Sequence, residues 1–183
     1  MPEKLTKQEF RIHLTYSYCL RGTCNRLRTA TTFWTPEPEN RLISGGYNGA
    51  PSGHPACDEV GSDHLMVEGH CIRTNHGEEN ALLNCHNIDR LRGGTATILG
   101  TPCYLCARKL AGAHISKVEY IGNYKNAQGA EHIEELFRNG GVEHINIPLE
   151  ELLRIIKKGF DFAKGPGGPL RSFSNLDLES LGI

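Results

Sequence analysis

Regular alternation between strand-like and helix-like segments in the second half of the chain restricts the possible folds more than any other feature. Three predicted strands are each followed by a predicted helix, and one further helix precedes them. The strands cover 95–101, 117–123 and 142–148, and the helices cover 78–86, 104–113, 129–140 and 149–159. Strands that alternate with helices are typical of a largely parallel sheet covered by helices. We therefore predict an α/β fold.

The first half of the chain contributes one more helix and two more strands to this prediction. Apolar residues recur at every fourth position within 6–20, which predicts a helix. Two strands are predicted over 29–35 and 41–48, with a turn-rich segment between them. Residues 50–71 form a long segment of Gly, Pro, His and Cys. Because loops of this length are uncommon in compact domains, we expect this one to be functional or held in place by other groups.

Length and composition limit the class of protein. A chain of 183 residues suits one domain, which we expect to cover 1–160, followed by a Gly-, Pro- and Ser-rich tail over 161–183. Hydrophobic and charged contents of 38% and 22% are ordinary for soluble proteins. No apolar run approaches the ~20 residues of a membrane span, and no signal-peptide core is visible at the N-terminus. We expect a cytoplasmic protein without membrane contacts, and the net charge of −1 does not favour a nucleic-acid partner.

Seven cysteines are a high number for this length. An odd count without an export signal argues against a disulfide framework. Cys19 and Cys85 lie on apolar helical stretches, so we interpret both as small buried hydrophobic residues. The remaining cysteines are candidate metal ligands: Cys24, Cys57, Cys71, Cys103 and Cys106.

Two short motifs predict a catalytic zinc site. His76 and Glu78 stand at the start of a predicted helix, and Pro102 ends a predicted strand before a second helix that begins with Cys103 and Cys106. One imidazole and two thiolates leave the fourth tetrahedral position of zinc open for water, which is the catalytic pattern. Zinc lowers the pKa of such a water to about 7, and Glu78 is close enough to move its proton. The alternatives are a structural zinc clip and a fortuitous spacing.

The pattern H-x-E followed by P-C-x-x-C is the known signature of zinc deaminases, and further motifs narrow the resemblance. They are GYNGAPSG over 46–53, TCNR over 23–26, ACDEVG over 56–61, EGHCIRTNHGEENA over 68–81 and LFRNGGVEHINIP over 136–148. With them the chain resembles the cytidine deaminase superfamily and, within it, the bacterial and phage deoxycytidylate (dCMP) deaminases. The resemblance covers about residues 6–150.

The resemblance implies a fold and a reaction. The fold is a three-layer α/β/α sandwich around a five-stranded mixed sheet. The reaction is the zinc-dependent hydrolytic deamination of dCMP to dUMP with release of ammonia, by a nucleotide deaminase domain that covers 1–160. By motif position, the zinc ligands are His76, Cys103 and Cys106, and the general acid/base is Glu78.

Three kinds of substrate contact follow from the resemblance. Asn48 matches a sugar-binding asparagine, although an asparagine before glycine is also common in turns. Arg26 is the first candidate for the phosphate and Arg28 the second, because an arginine fork binds two oxygens at once; a solvated basic loop is the alternative. Gly77 replaces the usual alanine of H-A-E, so we expect it to remove a methyl group from the pocket wall. That change raises an alternative substrate, 5-methyl or 5-hydroxymethyl dCMP.

The resemblance also implies a second, structural zinc that holds the long loop. Its ligands by motif position are Cys24, Cys57, His70 and Cys71, with His64 as a possible substitute for one of them. Metal binding can replace a missing hydrophobic core in such a loop. The alternative is a cluster of reduced cysteines without metal.

Regulation and competing functions complete the expectations. Gly46, Tyr47 and Gly49 match a segment that is linked in relatives to activation by dCTP with Mg²⁺ and inhibition by dTTP, usually in hexamers. A deaminase of tRNA or another polynucleotide shares the zinc motifs, but the acidic balance does not favour it. A zinc-stabilised binding module without turnover is the non-enzyme alternative, and Glu78 argues against it.

Overall fold

The computed structural model describes residues 3–59, 64–124 and 129–172. The strands are β1 (Ala30–Trp34), β2 (Leu42–Tyr47), β3 (Met66–Val67), β4 (His70–Cys71), β5 (Thr95–Leu99), β6 (Lys117–Ile121) and β7 (Glu143–Ile147). The helices are α1 (Lys7–Cys19), α2 (Gly77–Leu83), α3 (Tyr104–Gly112), α4 (Ile133–Gly140) and α5 (Leu149–Lys164). Short 3₁₀ turns cover Ile88–Leu91, Ala130–His132 and Pro169–Ser172.

Five of the strands form one mixed sheet in the order β2-β1-β5-β6-β7. β1 is antiparallel to both β2 and β5, whereas β5, β6 and β7 run parallel. Ligand sites of open α/β sheets lie beyond the carboxyl ends of the strands, where the topology changes direction. In this sheet that position is the carboxyl end of β5.

Two hydrophobic cores lie on opposite faces of the sheet. The larger one joins the sheet to α2, α3 and α4 and is centred on Phe33, Leu110 and Phe137, all fully buried. The smaller one joins the sheet to α1 and α5 through Ile12 and Ile155. The three-layer α/β/α sandwich with a five-stranded mixed sheet is therefore confirmed.

A polar layer lies under α1 beside the smaller core. The carboxylate of Glu119 on β6 is fully buried and accepts two hydrogen bonds from Arg11, at 3.1 and 2.8 Å. Thr97 of β5 and Gln8 of α1 donate to the same carboxylate at 3.1 and 3.0 Å. A buried charge is tolerated when it is paired and its lone pairs are satisfied, so these contacts fix α1 in one position on the sheet.

Several boundaries differ from the sequence prediction. Helix α5 continues to Lys164, past the predicted end at 159, because the first helix-breaking residues after it are Gly165 and Pro166. The predicted tail thus begins inside a helix, and its Pro169–Ser172 turn contacts α5. The rest of the tail, 173–183, lies outside the described residues.

The two cysteines interpreted as buried hydrophobic residues differ from each other. Cys19 is 3% exposed at the end of α1, as predicted. The prediction for Cys85 is wrong, because α2 ends at Leu83 and Cys85 is only half-buried in the turn that follows. Its thiol donates to the carbonyl of Asn87 at 3.2 Å.

Among the described residues of the long segment 50–71, the structure shows a small hairpin that the prediction missed. The two-residue strands β3 and β4 pair as an antiparallel hairpin. Strands this short carry no readable alternation of polar and apolar residues. None of the helices in the described parts of the chain combines the length and apolar character that a membrane span requires.

Candidate active site

The donors of the predicted catalytic cluster meet at the start of two helices. His76 is the N-cap of α2 and Cys103 is the N-cap of α3. The Nδ1 atom of His76 lies 3.6 Å from Sγ of Cys103 and 3.5 Å from Sγ of Cys106. All three donor atoms lie within 4.8 Å of one another. We call these residues the first cluster.

The start of α2 is fixed by Asn48, which follows β2. Oδ1 of Asn48 accepts a hydrogen bond from the backbone N–H of Gly77 at 2.7 Å, and Nδ2 donates to the carbonyl of Leu27 at 3.2 Å. The backbones of Gly49 and Asn75 exchange two further hydrogen bonds, at 3.2 and 3.0 Å. Asn48 is buried and lines the cavity beside the first cluster, so its side chain holds the helix that carries His76.

The expected role of Gly77 in the pocket wall is not supported by its geometry. A Cβ atom on Gly77 would lie 2.9 Å from Cα of Ala30 and 3.2 Å from the carbonyl oxygen of Gly46, within the backbone of the sheet. A Cβ on Gly46 would lie 2.2 Å from the backbone N of Ala81. These glycines let α2 lie directly on β1 and β2. The missing methyl group therefore faces the sheet, and Gly46 also has a packing role that needs no effector.

Glu78 lines the cavity from the first turn of α2. It is 4% exposed, and burial raises the pKa of its carboxyl above the usual range. A carboxyl with a raised pKa can both accept and return a proton near neutral pH, as general acid/base catalysis requires. Glu78 also lines the same cavity as the three donors.

Charge in the first cluster is concentrated on Cys103. Hydrogen bonds from the Cys106 thiol and from His76 lower the pKa of Cys103 to about 4. The Cys103 thiolate in turn raises the pKa of His76 to about 9. The N-cap position favours a thiolate through the helix dipole. Two cysteine sulfurs and one imidazole are a donor set that suits Zn²⁺.

An ion pair that the sequence prediction missed connects the two helices of the first cluster. Glu79 of α2 is paired with Lys109 of α3, and the same carboxylate accepts the backbone N–H of His76 at 3.0 Å. Burial opposes ionisation of Glu79, but Lys109 and the His76 amide lower its pKa overall. Each of the two residues stands one helical turn after a donor, with opposite charge. That pattern in the sequence could have indicated the ion pair.

The cavity at the first cluster has a volume of about 270 Å³. Arg26 lines it and is exposed, whereas Arg28 is not among the lining residues. Arg28 instead donates to the carbonyl of Gly22 at 3.0 Å and lies 3.8 Å from the carboxylate of Asp58. Of the two candidate phosphate contacts, only Arg26 is placed at the cavity.

Apolar and aromatic residues of the cavity were also missed by the sequence prediction. Ile72, Leu105 and Tyr124 line it, and the first two remain about half exposed, at 57% and 49%. The backbone N–H of Tyr124 donates to the hydroxyl of Thr101 at 3.2 Å. Tyr124 follows the carboxyl end of β6, and neighbouring parallel strands end at the same edge of a sheet. That position could have indicated it.

The other candidate ligands form a second cluster beside the cavity. The donor atoms of Cys24, Cys57 and His64 lie within 4.8 Å of one another. Sγ of Cys71 lies 3.8 Å from Sγ of Cys57. His70 is not part of this three-donor group and lines the cavity instead. His64, the predicted substitute, takes the place expected for His70; Cys24, Cys57, His64 and Cys71 are the second cluster.

Two observations fit a metal ion at the second cluster. Nδ1 of His64 is buried and has no hydrogen-bond partner within the described ranges, which is costly unless the atom binds something else. Burial, followed by the neighbouring thiols of Cys71 and Cys24, raises the pKa of Cys57 to about 12. A cation at this position would allow the thiols to ionise together. Three cysteines and one histidine are a common structural zinc set.

Comparison with protein families identifies a match over most of the folded chain. Residues 10–121 match the model for the cytidine and deoxycytidylate deaminase zinc-binding region. The ComE operon protein 2 of Bacillus subtilis (strain 168) is 31% identical, over 85% of this chain and 78% of that protein. The deoxycytidylate deaminase of Enterobacteria phage T4 is 27% identical, over 65% of this chain and 80% of that protein.

Solved structures show the same fold. The dCMP deaminase of cyanophage S-TIM5, determined in complex with dCMP and dUMP, superposes with a TM-score of 0.58 and 19% identity, over 76% of this chain and 96% of that one. Acinetobacter baumannii RibD gives a TM-score of 0.55 at 19% identity, over 88% of this chain and 41% of that one.

Proposed function

The chain belongs to the cytidine and deoxycytidylate deaminase family, and from this premise we propose that it is a zinc-dependent hydrolase that converts dCMP and water to dUMP and ammonia. The observation that carries the proposal is the buried Glu78 in a cavity that also contains the first cluster and Arg26. Deoxycytidylate deaminases of phages and the dCMP-bound cyanophage structure support the choice of substrate.

Residues of the chain account for the proton movements of this reaction. His76, Cys103 and Cys106 would hold the zinc, which supplies Lewis-acid activation of the attacking water. Glu78 accepts one proton of that water and delivers it to the ring nitrogen N3 of the pyrimidine as the carbon–oxygen bond forms at C4. Glu78 then moves the remaining hydroxyl proton to the amino nitrogen, the carbon–nitrogen bond breaks, and ammonia leaves a C4 carbonyl. The cavity walls around Glu78 reduce competition from bulk water for the same protons.

We assign the substrate contacts by their place around the cavity. Arg26 would bind the phosphate, since a guanidinium fork suits phosphate oxygens. Asn48 keeps its proposed sugar role, although its side chain already makes two hydrogen bonds to the protein. Replacing Arg26 with Met should raise KM for dCMP by about 10- to 100-fold. The same change at Arg28, outside the cavity lining, should have a much smaller effect, and equal effects would remove Arg26 as the phosphate contact.

The substrate is tested by ammonia release from zinc-loaded protein with dCMP, 5-methyl-dCMP, deoxycytidine and dCTP supplied separately. We expect turnover of dCMP above the nucleoside and the triphosphate. Preference for 5-methyl-dCMP would select the alternative substrate class, which loses its structural motive because Gly77 faces the sheet. An absence of turnover with all four compounds would contradict the proposal and direct attention to a polynucleotide substrate or a binding module.

A second zinc is proposed at Cys24, Cys57, His64 and Cys71, with His64 in the place first expected for His70. We expect two zinc ions per wild-type chain by elemental analysis, and one after Cys57→Ser. One zinc in the wild type would remove this site.

Four further expectations stay predictions. They are activation by dCTP with Mg²⁺, inhibition by dTTP through Tyr47, Gly46 and Gly49, a hexameric assembly and a cytoplasmic location. A rate curve that neither triphosphate changes would contradict the regulation.

A further inference from the structure

The second cluster forms part of the wall of the substrate cavity. Cys24 and Cys71 line the cavity, whereas Cys57 and His64 are not among its lining residues. The cluster therefore has an inner side, Cys24 and Cys71, that faces the cavity and an outer side, Cys57 and His64, behind it. A metal held there would bind the cavity wall to the two segments behind it.

Arg26 is connected to the second cluster in two ways, through its backbone and through its side chain. It follows Cys24 by two residues along the chain. Its guanidinium donates to the carbonyl of Gly69 at 3.3 Å, and Gly69 precedes Cys71 by two residues in the hairpin. It also lies 2.9 Å from the sulfur of Met66. The segment of Arg26 and the β3–β4 hairpin are thus joined twice, once by this side chain and once by the cluster.

Little else holds these two segments together. No helix or strand is assigned within the described residues between Cys19 and Ala30, and β3 and β4 contain two residues each. Apolar side chains of the hairpin face solvent, including Leu65 at 51% and Val67 at 49% exposure. Segments with few buried apolar contacts open at low free energy. Backbone contacts of Thr23, Leu27 and Thr29 hold the Arg26 segment to the body of the protein, but the cross-links from this segment to the β3–β4 hairpin are the Arg26 side chain and the second cluster. The cluster can therefore set the position of Arg26 relative to the hairpin at the cavity.

We propose that the second cluster, when it holds its metal, positions Arg26 and so makes the cavity selective for a nucleotide over a nucleoside. This inference rests on the proposed function. The cluster acts through Arg26, as a positioning device, and takes no part in proton transfer at Glu78. Its loss should weaken recognition of the phosphate and leave the chemical step unchanged.

The test compares Cys57→Ser with Cys85→Ser in the full chain. Cys57 belongs to the second cluster but does not line the cavity, and Cys85 belongs to neither cluster. Cys57→Ser should lose one zinc, and its KM for dCMP should rise about 10- to 100-fold while kcat changes little. Calorimetry should show weaker binding of dUMP by a similar factor, with binding of deoxyuridine unchanged. Cys85→Ser should match the wild type in zinc content, KM, kcat and the binding of both dUMP and deoxyuridine.

A Cys57→Ser protein that lacks one zinc but binds dUMP as tightly as the wild type would overturn the inference. Equal weakening for dUMP and deoxyuridine would overturn it as well, because the effect would not be specific to the phosphate. If Cys57→Ser does not fold, His64→Asn provides a second removal of the outer side of the cluster. Wild-type protein that neither deaminates dCMP nor binds dUMP would instead contradict the proposed function.

Discussion

The two cysteine–histidine clusters lie beside the same cavity but are supported in opposite ways. His76 and Cys103 are the N-caps of α2 and α3, Cys106 lies in the first turn of α3, and both helices belong to the larger core on the central sheet. Donors of the second cluster come from loop segments and one two-residue strand. We therefore propose that the fold prepares the first cluster before metal binds, whereas the second cluster depends on metal for its shape. A rigid support is what catalytic ligands need.

Specific contacts show how firmly the first cluster is held. Asn48 anchors the first amide of α2, and the Glu79–Lys109 pair connects α2 to α3. At the second cluster the β3–β4 hairpin is closed by few backbone bonds, such as that from Ile72 to Leu65 at 2.9 Å. Three predictions test this difference, beginning with the largest effect.

Replacing Glu78 with Gln should abolish most of the chemistry while leaving both clusters intact. A glutamine keeps the shape of the side chain but does not exchange a proton, so kcat should fall by about 10²- to 10⁴-fold. Elemental analysis should still find the wild-type zinc content. The control is Glu134→Gln, an exposed change on α4. Retained turnover in Glu78→Gln would remove the acid/base role and, with it, the assignment of chemistry to the first cluster.

Replacing Gly77 with Ala should disturb the first cluster through its support. The new methyl group would meet the backbone of Ala30 at 2.9 Å, so α2 and His76 must shift. We expect a loss of about 1–3 kcal/mol in the free energy of unfolding and weaker zinc binding. Gly112→Ala is the matched control, since a Cβ there meets nothing within 4 Å, and it should be neutral or slightly stabilising. Urea midpoints of the two variants measure the difference.

An unchanged or higher stability of Gly77→Ala would mean that the helix can slide on the sheet. In that case the fold would support the first cluster less rigidly than we propose, and the contrast with the second cluster would weaken. A preference that changed between dCMP and 5-methyl-dCMP in this variant would return Gly77 to the pocket wall.

Glu9 tests the part of the scaffold that touches neither cluster. Although burial opposes it, hydrogen bonds from Lys158, the Thr6 amide and Arg154 lower the pKa of Glu9 from 4.5 to about 2. A carboxyl with a lowered folded-state pKa stabilises the protein above pH 4.5, and this contribution is lost as the pH falls towards 2. The contribution at neutral pH is at most about 3 kcal/mol.

Glu9→Gln should therefore lower the urea midpoint at pH 7, and the two midpoints should converge only as the pH approaches about 2. Metal ligands protonate alike in both proteins, so the difference between them isolates Glu9. Zinc content at pH 7 should not change, because α1 and α5 lie on the face of the sheet opposite α2 and α3. A loss of zinc at pH 7 in Glu9→Gln would contradict this expectation. It would show that zinc binding also depends on the helices on the opposite face of the sheet.

The fold and the first cluster were predictable from the sequence because both follow from local patterns. Alternating strands and helices imply the layers, and H-x-E with P-C-x-x-C places His76, Cys103 and Cys106 at helix starts. Adjacent residues in a strand point to opposite sides, so a local motif could not decide which histidine joins Cys71. In the structure His64 joins the cluster and His70 lines the cavity. The strands of the β3–β4 hairpin are too short for the sequence to predict these side-chain directions.

Contacts between elements that are distant in the chain could not be predicted from the sequence either. Whether the missing methyl of Gly77 faces the cavity or the sheet depends on the crossing of α2 over Ala30, about 47 positions earlier in the chain. The Glu79–Lys109 pair joins residues on separate helices. Its only signal in the sequence is that Glu79 stands three residues after His76, as Lys109 does after Cys106. Such long-range packing decides side-chain roles that local spacing leaves open.

Hydrogen exchange during zinc titration of the metal-free protein tests the comparison of the two clusters most directly. As zinc binds, backbone amides of 64–72 should gain much more protection than those of α2 and α3. That result would show that metal shapes the second cluster and that the fold shapes the first. Equal gains at both clusters, or larger gains in α2 and α3, would contradict this account.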